Sequence, residues 1–435
     1  METHIKQLMK YLLHFEKGKG KYMATIKPFM AYRPKEGLEA KIAALPYDVY
    51  NRQEACEAVK GNELSFLNID RAETQFDASV DTYADVVYEK AHDMLWEMIE
   101  KGNFIQEDKP VYYLYELTMD GRVQTGIVAC ASVDDYQNNV IKKHENTRAD
   151  KELDRIRHVE TCKAQTGPIF LAYRANDILR DIINATKENK KAIYDFTSED
   201  NIIHRVWCID ETENILVIQN TFADIEQIYI ADGHHRCASA VKVGLKKREI
   251  NPAYTGEEEF NYFLSVLFAD EELMIMDYNR VVKDLNNLSS EEFMSKMQNI
   301  FEVVSTTDKC QKPFEKGQIA MYLEDKWYLL KVKNKFKSND PVDGLDVAIL
   351  QNNVLSPILG IEDPKTDKRI DFVGGIRGIE ELERRVHTDS KVAFAMYPTS
   401  IHELFEVADA NMLMPPKSTW FEPKLRSGLF IHAIN

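Results

Sequence analysis

The stretch Ile228–Tyr229–Ile230–Ala231–Asp232–Gly233–His234–His235–Arg236 joins an apolar run to a turn, then to the small residues Cys237–Ala238–Ser239–Ala240. Its first residues, β-branched and aromatic, suit a buried strand. Asp232 is a good helix N-cap, and Gly233 lets the backbone approach a ligand closely. A helix start carries unpaired N–H groups and a partial positive charge, which together bind anions. His234, His235 and Arg236 add donors there, and a guanidinium grips phosphate bidentately. This pattern reads as a phosphate-handling turn. Spacing alone also allows an N-capped helix with surface histidines.

A second charged cluster runs Lys142–Lys143–His144–Glu145–Asn146–Thr147–Arg148 and continues through Asp150, Lys151, Asp154, Arg155 and His158. Glu145 is a candidate general base if its surroundings raise its pKa or align it with a hydroxyl. Lys143, His144 and Arg148 are candidate anion holders. The alternative is a solvated, salt-bridged helix start. A third cluster, Met414–Pro415–Pro416–Lys417–Ser418–Thr419–Trp420–Phe421, sets a cation, two hydroxyls and aromatics on a proline-stiffened loop. It suits a small zwitterion or a phosphate, and equally a C-terminal segment packed on the fold. Thr399, in Tyr397–Pro398–Thr399, is its companion. Zinc-type spacing is absent, but Asp232 is a plausible oxygen ligand for Mg²⁺. No P-loop, Rossmann glycine fingerprint or nucleophile elbow occurs, so a phosphoryl donor must be held differently.

These clusters sit in a chain of 435 residues, enough for two or three domains. Net charge is −16, from 71 acidic and 55 basic residues. That balance argues against a broad nucleic-acid surface and fits a soluble enzyme for small molecules, with metal neutralising anionic substrates. Six scattered cysteines without a CxxC pair point to a reducing cytoplasm. No apolar run approaches the roughly 20 residues that span a bilayer. Residues 1–22 read as an appendage that lacks signal-peptide features, with Met23 an alternative start. No internal repeat is visible. A homo-oligomer remains open.

The elements that must position the clusters are mixed. A capping box at Asn51 and Glu54 opens a helix over Arg52–Lys60. Leu64–Asp70 reads as a buried strand, and Ala78–Lys101 as a helix with Val80, Tyr83, Val87, Ala91, Met94, Leu95 and Met98 as core positions. Asp120–Gly121 marks a hairpin between Pro110–Thr118 and Arg122–Val133. Strands and helices then alternate through Val140–Lys143, Ala149–Ala164, Pro168–Tyr173, Asp177–Lys187, Ile202–Cys208 and Gln227–Ala231. The helix after the central turn is expected to fade by Gly244, before a strand at Phe263–Phe268. From about Tyr278 the order restarts: a hairpin over Gln318–Leu323 and Trp327–Val332, then pieces at Val347–Val354, Ile370–Val373, Gly378–Val386, Val392–Tyr397 and Ile401–Ala410. The expected class is α+β, with a larger lobe over residues 23–278 and a smaller α+β lobe over residues 279–435.

Taken together, the motifs resemble known families. DGHHR after a strand resembles the phosphate-binding turn of the ParB/sulfiredoxin-like superfamily, and its free serine kinase branch is closest in pattern. That enzyme carries a Lys-Pro-His-Glu segment whose Glu is the catalytic base, and KKHE at Lys142–Glu145 is similar. From IKPF at Ile26–Phe29 through PYDV, KHENT, DKELDR and DGHHR to MPPKSTWFEPKLRSGLFIH, the chain resembles the bacterial family called domain of unknown function 1015. The resemblance implies a ParB/sulfiredoxin-like first lobe and a free L-serine kinase that makes O-phospho-L-serine for serine and cysteine metabolism. It implies donor phosphates on Gly233, His234, His235 and Arg236, and Mg²⁺ on Asp232. Glu145 is then the base, and Lys417, Ser418, Thr419, Thr399 and Lys151 or Glu152 bind serine. Pyrophosphate is the favoured donor, with ADP and ATP open. Two departures stand out. Ser239 replaces a frequent Ala, and His234 stands where sulfiredoxin chemistry needs Cys. The competing classes are a ParB-like nucleotide or DNA binder, and a phosphatase or nuclease with water as acceptor.

Overall fold

The computed structural model describes residues 22–434, so the predicted appendage, except Tyr22, lies outside the described residues. The fold is mixed α+β and is built on two large sheets. The first has nine strands. Eight run side by side in the order Ile141–Lys142, Ile228–Asp232, Ile169–Tyr173, Tyr262–Ala269, Arg122–Ser132, Tyr112–Met119, Ile203–Ile209 and Tyr194–Thr197, and Ile26–Lys27 joins on Arg122–Ser132. The second has six strands, in the order Phe301–Thr307, Lys326–Val332, Gln318–Leu323, Val392–Met396, Tyr278–Val282 and Ile370–Gly374.

Period-two alternation assigns the faces of the first sheet. Tyr113 and Tyr115 enter a core shared with Ile319, Met321 and Phe394 of the second sheet, whereas Tyr112 and Leu114 pack on the opposite face with Cys237, Ala240 and Val241. Asp120 and Gly121 both take positive φ, 51° and 79°, as a two-residue hairpin requires. Both halves of the capping box at Asn51 and Glu54 form, opening the helix Arg52–Ala58. The C-terminal stretch returns to the first sheet's neighbourhood. His432–Ala433 pairs with Ala164–Gln165, and Trp420–Phe421 pairs with Ile275–Met276. Among the described residues no helix is long and apolar enough to cross a membrane.

Several local expectations change. Leu64–Asp70 is no strand: Leu67–Asp70 forms one helical turn, buried at all four residues against the helix Asp85–Glu100. A short apolar run carries no period that separates the two states. The helix expected from Ala78 begins at Asp85 because Asp77 and Asp81 accept from the amides of Ser79 and Tyr83, which commits that stretch to Asx turns. A helix at Thr212–Phe222 and a strand at Tyr194–Thr197 appear where neither was expected.

The central helix does not fade at Gly244 but runs over His234–Ile250. Gly244 is there for close approach: a Cβ would lie 2.4 Å from the Phe260 carbonyl oxygen. We therefore expect Gly244→Ala to cost about 1–3 kcal/mol by overpacking despite alanine's better helix propensity. Chemical denaturation would register this as a lower midpoint at unchanged slope.

Candidate active site

Parallel pairing brings the first two clusters together. Ile141–Lys142 lies beside Ile228–Asp232, with Ile141 opposite Ile228 and Lys142 opposite Tyr229. Both strands therefore end on one edge, and Lys143–Glu145 emerges next to Asp232–Arg236. The His144 and His234 rings meet edge to face, 4.5 Å between centroids. His144 also hydrogen-bonds the Ile230 backbone. Burial pushes His144 down to about 4 and His234 well below its ordinary value, so both rings are neutral at pH 7. They serve the turn as neutral polar groups and not as cations.

The turn is built by a bulge and a glycine. Pairing with Ile169–Tyr173 slips between Ile230 and Asp232, and Gly233 follows with φ 90°. The Arg236 guanidinium folds back over this glycine, 3.0–3.1 Å from where a Cβ would stand. A larger residue at 233 is thus both strained and blocked. Arg236 donates to the Pro168 carbonyl, while its Nε is buried without a partner. Asp232 Oδ1 accepts the Gly233 N–H at 2.8 Å, and Asp232 Oδ2 is 3.0 Å from Lys424 Nζ. Although burial pushes the Asp232 carboxyl up, Lys424 and Arg236 hold it well below the usual range. His235 Nε2 accepts the Arg148 amide N–H at 3.0 Å, which joins the turn to the helix Ala149–Cys162. Ser239 reinforces that joint: its Oγ is 3.0 Å from the Glu152 carbonyl oxygen and 2.7 Å from that of His235.

Beside the turn lies a cavity of about 500 Å³, walled in part by Glu145, His235, Lys151 and Lys417. Burial raises the Glu145 pKa, and the Lys417 and Lys365 charges offset part of that rise. Lys417 responds in kind. Burial lowers its pKa, and Tyr278 and Glu145 more than restore it. Lys417 sits at φ 59°, with its carbonyl held by Arg280 Nη2 at 3.0 Å. Arg280 is buried, and desolvation pushes its pKa down to about 10.

Other predicted residues are placed less directly. The Thr399 hydroxyl donates to the Ser418 carbonyl at 2.9 Å, and that of Ser418 to the Pro415 carbonyl at 2.6 Å. Both are buried and shape the loop that presents Lys417, while Thr419 is half-buried beside them. Lys151 Nζ is 3.3 Å from the Tyr83 hydroxyl at the cavity wall. Glu152 is engaged elsewhere, by Lys242 and by Thr147 at 2.7 Å.

The charge run after Glu145 divides in two. Arg148 and Asp150 form an exposed pair at 2.7 Å, as a solvated helix start would, and Arg148 also lines the cavity. Asp154, Arg155 and His158 are buried and wall the cavity. Arg155 reaches Asp154 at 2.9 Å and lies 4.0 Å over the Tyr47 ring. Tyr83, Val87 and Ala91, expected only in a core, wall it too.

Sequence reasoning missed several charged residues here, among them Lys365, Asp48 and Lys424. Asp48, within PYDV, lines the cavity and acts on His235, Lys417 and Lys424 through its charge. Lys424 arrives from the C-terminal stretch. The only local signal for Asp48 or Lys424 was its place inside a quoted motif.

The family model described as "Protein of unknown function (DUF1015)" matches residues 26–348. The chain belongs to this family. No curated protein matches it. Among solved structures, it is similar to a free serine kinase variant in complex with ADP, at 14% identity and TM-score 0.34, covering 69% of this chain and 88% of that one. A conserved hypothetical protein from Pyrococcus furiosus shares 15% identity at TM-score 0.34, with 70% and 94% covered. C-terminally truncated SbnI from Staphylococcus aureus shares 12% at TM-score 0.35, with 68% and 82% covered.

For Mg²⁺, the described residues offer no group of three or more His, Cys, Asp or Glu side chains suited to a metal. One ionised carboxylate, Asp232, stands at the turn. That fits an ion carried in by phosphate oxygens, since Mg²⁺ commonly takes one or two carboxylates plus phosphates and water.

Proposed function

We propose that this protein is a phosphotransferase that moves a phosphoryl group from a small phosphate donor to the hydroxyl of free L-serine. Pyrophosphate is the favoured donor, with ADP or ATP as alternatives. The observation that carries the reading is Glu145: a half-buried carboxylate with a raised pKa, just past the strand that pairs with the one leading into the Gly233 turn, lining one cavity with Lys417 and acting on it through charge. The serine acceptor comes from the motif resemblance.

In this mechanism the donor phosphates rest at Gly233, His234, His235 and Arg236. Glu145 takes the proton from the serine hydroxyl as its oxygen attacks phosphorus. The bond from phosphorus to the bridging oxygen breaks, and that oxygen leaves with the remaining phosphate. Lys417 and Lys151 draw the serine carboxylate, with Ser418, Thr419 and Thr399 shaping the loop. Mg²⁺ held by Asp232 would neutralise donor charge. Such transfer depends mainly on positioning and charge stabilisation.

Phosphorus NMR on purified protein with Mg²⁺ and L-serine tests the reading, with pyrophosphate, ADP and ATP offered separately and serine-free controls. A new phosphoserine signal with one donor supports it. Equal phosphate release with and without serine favours a hydrolase, and no turnover with any donor brings the binding-protein reading to the front. Within the reading, Lys417→Ala should raise the serine KM about tenfold or more. Because Lys417 lowers the Glu145 pKa, its loss should also move the acid limb of the rate profile to higher pH. An unchanged serine KM and pH profile would remove Lys417 from the acceptor site.

A further inference from the structure

Lys424 has no part in the mechanism above, yet it stands at its centre. Its ammonium is 3.0 Å from Asp232 Oδ2 and 4.8 Å from the Trp420 ring centroid. The other Asp232 oxygen takes the Gly233 N–H at 2.8 Å. One carboxylate thus occupies two attachments that an anion on this turn would use: its first amide and a nearby cation. Around it, Arg236 Nε and His234 Nε2 are buried without partners. Buried polar atoms are nearly always paired, so two orphans beside this helix-start turn point to a ligand with several polar atoms. Phosphate carries more charge than carboxylate and more acceptor oxygens, and a lysine ammonium binds it as a point charge. Such a group outcompetes Asp232 for both the amide and the ammonium.

We propose that Lys424 is a donor-phosphate ligand, parked on Asp232 in the free protein and handed to the donor when it binds. Asp232 is then a resident stand-in for phosphate, and its carboxylate is released toward the cation that accompanies the donor. This inference rests on the phosphotransferase reading.

The test is calorimetric binding of inorganic pyrophosphate, and separately of ADP, to the full chain with and without Mg²⁺. Lys424→Met should lose at least about tenfold in affinity, as the loss of a hydrogen bond to a charged group implies, and Lys424→Arg should recover most of it. In Mg²⁺-free buffer Asp232→Asn should bind pyrophosphate more tightly than wild type, because its lysine is already free. A merely structural ion pair would give the reverse, since breaking it disturbs the turn. If Lys424→Met fails to fold, the double variant Lys424→Met/Asp232→Asn removes both charges, and it should still bind more weakly than Asp232→Asn alone. Wild-type affinity in a folded Lys424→Met protein overturns the proposal, as does weakened Mg²⁺-free binding in Asp232→Asn. Wild type that binds neither of these probes nor ATP overturns the phosphotransferase reading itself.

Discussion

Glu145→Gln should lower the rate of phosphoserine formation by about 10³-fold, the middle of the range for losing a general base. The amide keeps the size and hydrogen-bonding reach of the side chain but cannot take the serine proton. Donor affinity should stay within about twofold of wild type, because the phosphate attachments proposed here lie on the turn at Gly233 and Arg236. In the wild type the base is the ionised form. The rate should therefore fall as pH drops through a pKa above the usual glutamate value, raised by burial and by Asp232 but restrained by Lys417 and Lys365. Single-turnover measurement of serine phosphorylation across pH, beside calorimetric donor titration, checks both halves. A variant that keeps full turnover would transfer the role of base elsewhere.

The second large effect is expected for Arg236→Ala. This side chain closes over Gly233, donates to the Pro168 carbonyl and leaves Nε unpaired toward the turn. In the proposed mechanism its removal deletes a charge-assisted contact to the donor, worth about 1.5–3 kcal/mol, or roughly 10–150-fold in affinity. It also strips Asp232 of one of the two cations that hold it ionised. The donor KM should rise by that factor while the serine KM moves little. Steady-state kinetics with each substrate varied in turn measures the split, and equal damage to both would argue that Arg236 supports the whole turn. Thermal denaturation of the variant separates a lost contact from a lost fold.

Legibility in the sequence followed the range of the interaction. The hairpin at Asp120–Gly121 and the capping box at Asn51 and Glu54 were readable because each depends on residues within a few positions of one another. The same holds for the strand, turn and helix at Ile228–Arg236. Gly244 misled because glycine in a helical pattern signals an end, whereas its reason here is the Phe260 carbonyl, sixteen positions away in sequence but 2.4 Å from the would-be Cβ. Thr399 and Ser418 were named for their hydroxyls. Which atoms those hydroxyls meet depends on the path of the loop, and that path turns them onto backbone carbonyls.

By itself the sequence determined the types of group available: a glycine turn with two histidines and an arginine at a helix start, a carboxylate after Lys-Lys-His, and a cation on a proline-stiffened loop. It also determined the mixed α+β class, because periodicity and turn chemistry are properties of neighbouring residues. Only the tertiary structure decided that Ile141–Lys142 pairs with Ile228–Asp232 and delivers Glu145 to the turn. It also decided that Lys424 crosses 192 positions to reach Asp232. Within the charged run after Glu145, it turned Asp154, Arg155 and His158 inward while leaving Arg148 and Asp150 in solvent. Each of these depends on which distant surfaces are buried together, a gain that is not directional and leaves no mark in local spacing.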